Sequence, residues 1–390
     1  MSDTPFGGLP FFGDLAKMLG QQGPLNWDAA RQLAYAVATE GSPEVNVDPL
    51  ERMSYEALAR VADLHVGEVT GLATAVTGRG VSIATVTPGG WVARSLDAYK
   101  PLFDALALAL SGAAAPPDDP DLSDDPTAAL MDGLMRMLTP SMLGLAAGSM
   151  VGHLATRSFG QYDLPIPRPP SHELLVVPSA VRRFADDWSL PIDDLRLFVC
   201  VHEIAHHAIL GVPHVRATLD SLLVEFARTF RPDARALEDR LGSLDLENPD
   251  ALASLQKALA DPEVMLGAMA TPEQHHVQRR LDALVAVIVG VVDHVLDTIG
   301  SRLITNYGGL SEAMRRERVT PHQSDVFVQR LLGLSLGREQ VERGCAFVNG
   351  VLERAGDDGL ARLWRSEREL PTAAEVDAPG LWLARIDIAD

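Results

Sequence analysis

The segment Arg196-Leu-Phe-Val-Cys-Val-His-Glu-Ile-Ala-His-His-Ala-Ile-Leu-Gly211 constrains this chain more than any other. It is mostly apolar, has no breaker before Gly211, and is closed by Val212-Pro213, so it predicts a largely buried helix over 193–210. Polar side chains in such a helix need partners. His202 and His206 are four apart and so share one face, one turn apart. That spacing lets two imidazole nitrogens reach one zinc ion at ~2.0–2.1 Å. Glu203 is turned off that face, which suits it less to ligation than to taking a proton from metal-activated water, as the general base of a metal-assisted hydrolysis. The competing reading is a hydrogen-bonded His/Glu cluster without metal. His207 points off the metal face and is expected to pack or to support a ligand.

Catalytic zinc usually has three protein donors and one open position. Cys200 and Cys345 are the only cysteines and form no Cys-x-x-Cys pair, so a third donor must be His or a carboxylate. Cys200, inside the apolar run, reads as a small core residue. The stretch Leu281–Asp297 is apolar enough to predict a buried helix, and Asp293 and His294 interrupt it. Asp293 is therefore the candidate third ligand. A hydrogen-bonded Asp–His pair, or a face becoming solvated toward Asp297, is the alternative. The chain has no phosphate-binding Gly-x-x-x-x-Gly-Lys and no Gly-x-Gly-x-x-Gly.

With 390 residues, 47% of them hydrophobic, the chain can bury one large core or two ordinary ones. The formal net charge of −20 repels phosphate backbones and anionic lipid, so nucleic acid is not an expected partner. The apolar runs near 141–151 and 284–292 are shorter than the ~20 residues of a spanning helix, so core helices and no membrane span are expected. The acidic, Gly-rich start lacks a basic, apolar leader, and a cytoplasmic location is expected. Residues 1–24 read as an extended arm. Residues 25–390 read as a single domain with an acidic, Pro-rich loop at 112–126. Helices are expected near 27–40 (with Asn26 as its cap), 49–75, 95–111, as a pair over 127–158, and near 179–188, 215–230, 233–242, 249–260, 272–300, 323–333, 337–355 and 357–364. Glu173–Val177 is the one strand candidate. The fold class is mainly α, with little β strand around the motif helix.

Several segments together resemble the actinobacterial zincin-like metallopeptidase family, also described as hydrolases of a conserved domain of unknown function. They are Pro5-Phe-Gly-Gly-Leu-Pro-Phe-Phe-Gly13, Gly160-Gln-Tyr-Asp-Leu-Pro165, His202-Glu-Ile-Ala-His-His207, Val212-Pro-His214, Val292-Asp-His-Val295, and the tail from Leu331 to Trp382. The resemblance implies a zincin-like multi-helix fold, zinc as cofactor, and a peptide or protein substrate. The family's later helix carries Glu-Gly-x-x-Asp-His, in which the Glu is the third ligand. Here that position is Val289, followed by Gly290, while Asp293 and His294 persist. Valine cannot bind zinc. Either Asp293, one turn along the same face, takes over ligation, or the chain is a catalytically degraded descendant kept as a binding or scaffold protein.

Overall fold

The computed structural model describes residues 23–75, 78–113, 126–229, 272–320, 322–335 and 337–388. Residues 1–22 of the arm, residues 114–125 of the acidic loop, and the helices expected at 233–242 and 249–260 lie outside the described residues.

The first helix, α1 (Trp27–Thr39), starts where its cap is expected: the Asn26 side chain accepts the Ala29 N–H at 3.0 Å. Asp48 caps α2 (Pro49–Thr70) in the same way. Next come α3 (Pro88–Ala113) and α4 (Pro126–Ala155). The pair of helices expected over 127–158 is thus one helix, with Pro140 inside it. The glycines that interrupt its apolar run face the backbone of α1. A Cβ at Gly144 would lie 2.4 Å from Asn26 O, and one at Gly148 2.6 Å from Ala30 O. They set the close approach of two helices rather than a break in one.

Two strands, β1 (Ser82–Thr85) and β2 (Glu173–Val176), pair in parallel with Ser82 opposite Glu173 and Thr85 opposite Val176. β2 is the strand expected from sequence. β1 is not, because Ser-Ile-Ala-Thr is too short and mixed to show a period. An antiparallel bridge from Gly160 to Val176 ties the segment 159–163 to the end of β2. The Val177 N–H donates to Phe159 O (2.8 Å) and the Trp91 indole N–H to Gly160 O (2.7 Å).

Past β2 lie α5 (Pro178–Asp187), the motif helix α6 (Ile192–Gly211) and α7 (Pro213–Arg228). Pro213 opens α7 and the chain turns by 89° between α6 and α7. The C-terminal helices are α8 (Pro272–Leu303), α9 (Tyr307–Val319), α10 (Gln323–Leu332), α11 (Arg338–Ala361), α12 (Ala373–Val376) and α13 (Pro379–Ile388). α6 is buried on nearly every side and packs against α2, α5, α7, α8 and β2. α8 packs on α11, where Gly290 and Gly344 bring the backbones together. Length and composition alone would let Glu273–Leu303 cross a membrane, but 72% of its most apolar window is buried inside the fold. The buried apolar side chains form one continuous core.

Candidate metal centre

The α6 helix places His202 and His206 on one face, with ring centroids 4.4 Å apart. The His206 Nδ1–H donates to the His202 carbonyl oxygen at 3.1 Å. The His202 Nδ1–H donates to Glu203 Oε1, also at 3.1 Å. In both rings Nδ1 faces an acceptor, which leaves Nε2 as the nitrogen available to a metal. Burial, and then His202, push the His206 pKa well below the ordinary histidine value, so at neutral pH it is a neutral imidazole. Tyr162 stacks on His206 (centroids 5.9 Å apart, planes 15° apart), and its hydroxyl lies 3.5 Å from Nδ1 of the buried His207. His207 thus packs behind the ligand face, as its position implies.

Glu203 is completely buried. Its Oε2 accepts the N–H groups of Gln161 (2.9 Å) and Tyr162 (3.1 Å). The contact needs glycine at 160, where a Cβ would lie 2.2 Å from Glu203 Cδ. The Gln161 side chain in turn accepts the Leu175 N–H of β2 at 3.0 Å, so sheet, loop and motif helix form one hydrogen-bonded unit. Glu203 is not among the residues that line the cavity in front of the histidines. In this arrangement it holds His202 by Nδ1, the carboxylate–histidine contact that orients metal-binding imidazoles.

That cavity, about 320 Å³, is walled by His202, His206, Asp163, Val289 and Asp293 among others, with Phe198, Leu164 and Val292 supplying apolar surface. Asp293 reaches the same cavity as the histidine pair, but Arg318 holds both of its oxygens. Arg318 Nη1 donates to Oδ2 at 2.8 Å and to Oδ1 at 3.1 Å, and Nη2 donates to Oδ1 at 3.1 Å. The Cys345 thiol adds a contact at 3.8 Å. Val289 stands one turn before Asp293 and is almost fully buried. Among the described residues no three His, Cys, Asp or Glu side chains form a group able to hold one metal ion as they stand. The two imidazoles, each with Nδ1 committed to an acceptor, fit a divalent metal, and they are the part of a donor set that is in place.

A mainly helical body built round a His-Glu-x-x-His helix, with both histidines opening on one cavity, defines a protein of the zincin type. The chain belongs to the zincin-like metallopeptidase family, whose pattern it matches over residues 25–383. No curated protein matches the chain. Among solved structures, a candidate hydrolase with a novel fold from Chloroflexus aurantiacus is similar, with TM-score 0.60 and 22% identity over 93% of this chain and 99% of that one. That likeness shows a shared fold. Membership of the family makes the chain a metallohydrolase of the peptidase kind.

Proposed function

We propose that this protein is a zinc-dependent hydrolase of peptide bonds, with the metal held by Nε2 of His202 and His206. The observation that carries the reading is the shared orientation of the two rings: both spend Nδ1 on an acceptor and both line one cavity. When bound, zinc would supply Lewis acidity and lower the pKa of water. The chain's own residues do the rest. Glu203 orients His202. It also stands at the motif's general-base position, and to take a proton from water in the cavity it must exchange the amides of Gln161 and Tyr162 for that water. Tyr162 fixes the plane of His206. Asp293, the third donor expected from sequence, enters the donor set only by releasing Arg318. The apolar wall excludes bulk water and suits an apolar side chain of the substrate.

Protein purified without chelator should contain about one zinc per chain by elemental analysis, on the principle of one ion per His pair. His202→Ala/His206→Ala should contain none, and stoichiometric zinc in that variant would remove the motif as the metal site. Incubation with a peptide library, read by mass spectrometry, should give cleavage that needs zinc. Val289 and the Asp293–Arg318 pair favour a second reading, a degraded site that binds peptides and leaves them intact. Capture without cleavage in the same assay selects that reading.

A further inference from the structure

Four carboxylates line the cavity, and three have a basic partner. Arg318 holds Asp293, Arg157 holds Asp325, and His322 lies 3.3 Å from Glu317. Asp163 has no such partner among the described residues. Its Oδ2 accepts the Gly160 N–H at 2.9 Å, and its other oxygen has no hydrogen-bond partner there. The backbone that presents it is fixed at Gly160 by Val176 and Trp91. The same short segment also cradles Glu203, through the Gln161 and Tyr162 N–H groups. A buried carboxylate, Glu203, and a partly exposed one, Asp163, therefore meet on one stretch of chain with no guanidinium or ammonium bonded to either. Anions taken out of water together oppose each other's ionisation unless a cation joins them.

We propose that Asp163 is the third protein donor to the cation held by His202 and His206, supplying the carboxylate that Val289 does not. The proposal rests on the reading of the histidine pair as a metal site, and it includes a side-chain movement that turns the free oxygen of Asp163 to the ion. Two imidazoles and one carboxylate make a known zinc donor set with one position left open. Glu203 stays behind His202 and contributes its charge without ligating. Asp293 stays with Arg318.

Zinc affinity by chelator competition, and visible absorption of the Co2+ complex, test this on the full chain. The variants are Asp163→Asn, Asp163→Glu, Asp293→Asn and His202→Ala/His206→Ala, each checked for native circular dichroism without metal. Loss of a direct donor should exceed the ~10–100-fold that loss of a supporting group costs. Asp163→Asn should therefore weaken zinc by more than ~100-fold and change the Co2+ bands. Asp163→Glu should restore part of both, and Asp293→Asn should stay within ~10-fold of wild type. Asp163→Asn binding zinc within ~10-fold of wild type, while the double histidine variant loses it, overturns the Asp163 assignment and leaves the histidine site standing. Equal zinc binding by wild type and the double histidine variant overturns both. If Asp163→Asn does not fold, Asp163→Ser, which keeps an acceptor for the Gly160 N–H, is held to the same limits.

Discussion

Substituting Asp293 by Asn separates a structural ion pair from a metal ligand. Arg318 spends two nitrogens on Asp293 in three hydrogen bonds of 2.8–3.1 Å, and the two side chains are only 17% and 21% exposed. Removing one member of a buried pair costs about 3–5 kcal/mol, because the other charge is left without compensation. Asn keeps one oxygen acceptor and the pair retains some solvent, so the low end applies, about 3 kcal/mol, or roughly a hundredfold in the folding equilibrium. Urea unfolding of the metal-free protein, followed by fluorescence of the buried Trp91 and Trp382, reads this directly. Arg318→Met should cost a similar amount, and the double variant should cost less than the sum by about 1–3 kcal/mol, the mark of direct coupling. Arg318→Met also frees Asp293 toward the cavity, so zinc affinity should rise in that variant alone. A loss below about 1 kcal/mol in Asp293→Asn would refute the argument that this pair is buried and coupled. A zinc loss above ~100-fold in Asp293→Asn would put Asp293 back in the donor set.

Glu203→Gln places an amide NH2 or a single oxygen where two backbone N–H groups and the His202 Nδ1–H now converge on acceptors. It should move the His202 proton to Nε2 and weaken zinc by ~10–100-fold, measurable by chelator competition; unchanged affinity would show that Glu203 does not act through His202. Gly160→Ala drives a methyl to 2.2 Å from Glu203 Cδ and should destabilise by about 1–3 kcal/mol in urea; a neutral result would mean that the loop yields without cost. Burial raises Asp282 to about 6, with Gln278 and Arg343 opposing. A carboxyl whose folded pKa lies above its unfolded value binds more protons when folded, so stability falls as pH rises from about 4 through about 6. Asp282→Asn should therefore raise the thermal midpoint at pH 8 and leave it unchanged at pH 3.5, and an equal rise at both would exclude ionisation as the cause.

The parts of the fold legible in sequence are those with a local signal. Long unbroken apolar runs mark α6 and α8, a side-chain cap marks the start of α1, and Gly211-Val212-Pro213 marks the turn into α7. β1 was illegible because four residues of mixed polarity become a strand only beside β2, which lies far along the chain. α9 was illegible for a different reason. It opens Tyr-Gly-Gly and continues Arg-Arg-Glu-Arg, so the low helix propensity of glycine and a charged run mask an element held by its partners. It carries Arg318, and the residues around Asp293 give no local sign of which element packs against them. A carboxylate in an apolar helix states only that it needs a partner. Whether that partner is a metal or a guanidinium depends on which element arrives opposite.

The same reasoning applies to the motif. His-Glu-x-x-His fixes the angular placement of three side chains on a helix, and the structure returns two of them to one cavity. The third is set by what packs against the helix. Gly160 leaves room for a carboxylate, and the two amides beyond it supply donors, so Glu203 is drawn into the loop and away from the cavity. Glycine at 160 and Asp at 163 then belong to one arrangement: the first admits the buried anion, and the second adds another carboxylate that lines the same cavity as the histidines. Sequence pattern shows Gly160-Gln-Tyr-Asp163 only as a turn before a strand. Its chemical content appears when β2 holds that turn against α6, three residues from a glycine that has no room for a side chain. In a chain that has valine at 289, Asp163 is the cavity acid with no basic partner among the described residues, while Arg318 holds Asp293, Arg157 holds Asp325 and His322 lies 3.3 Å from Glu317.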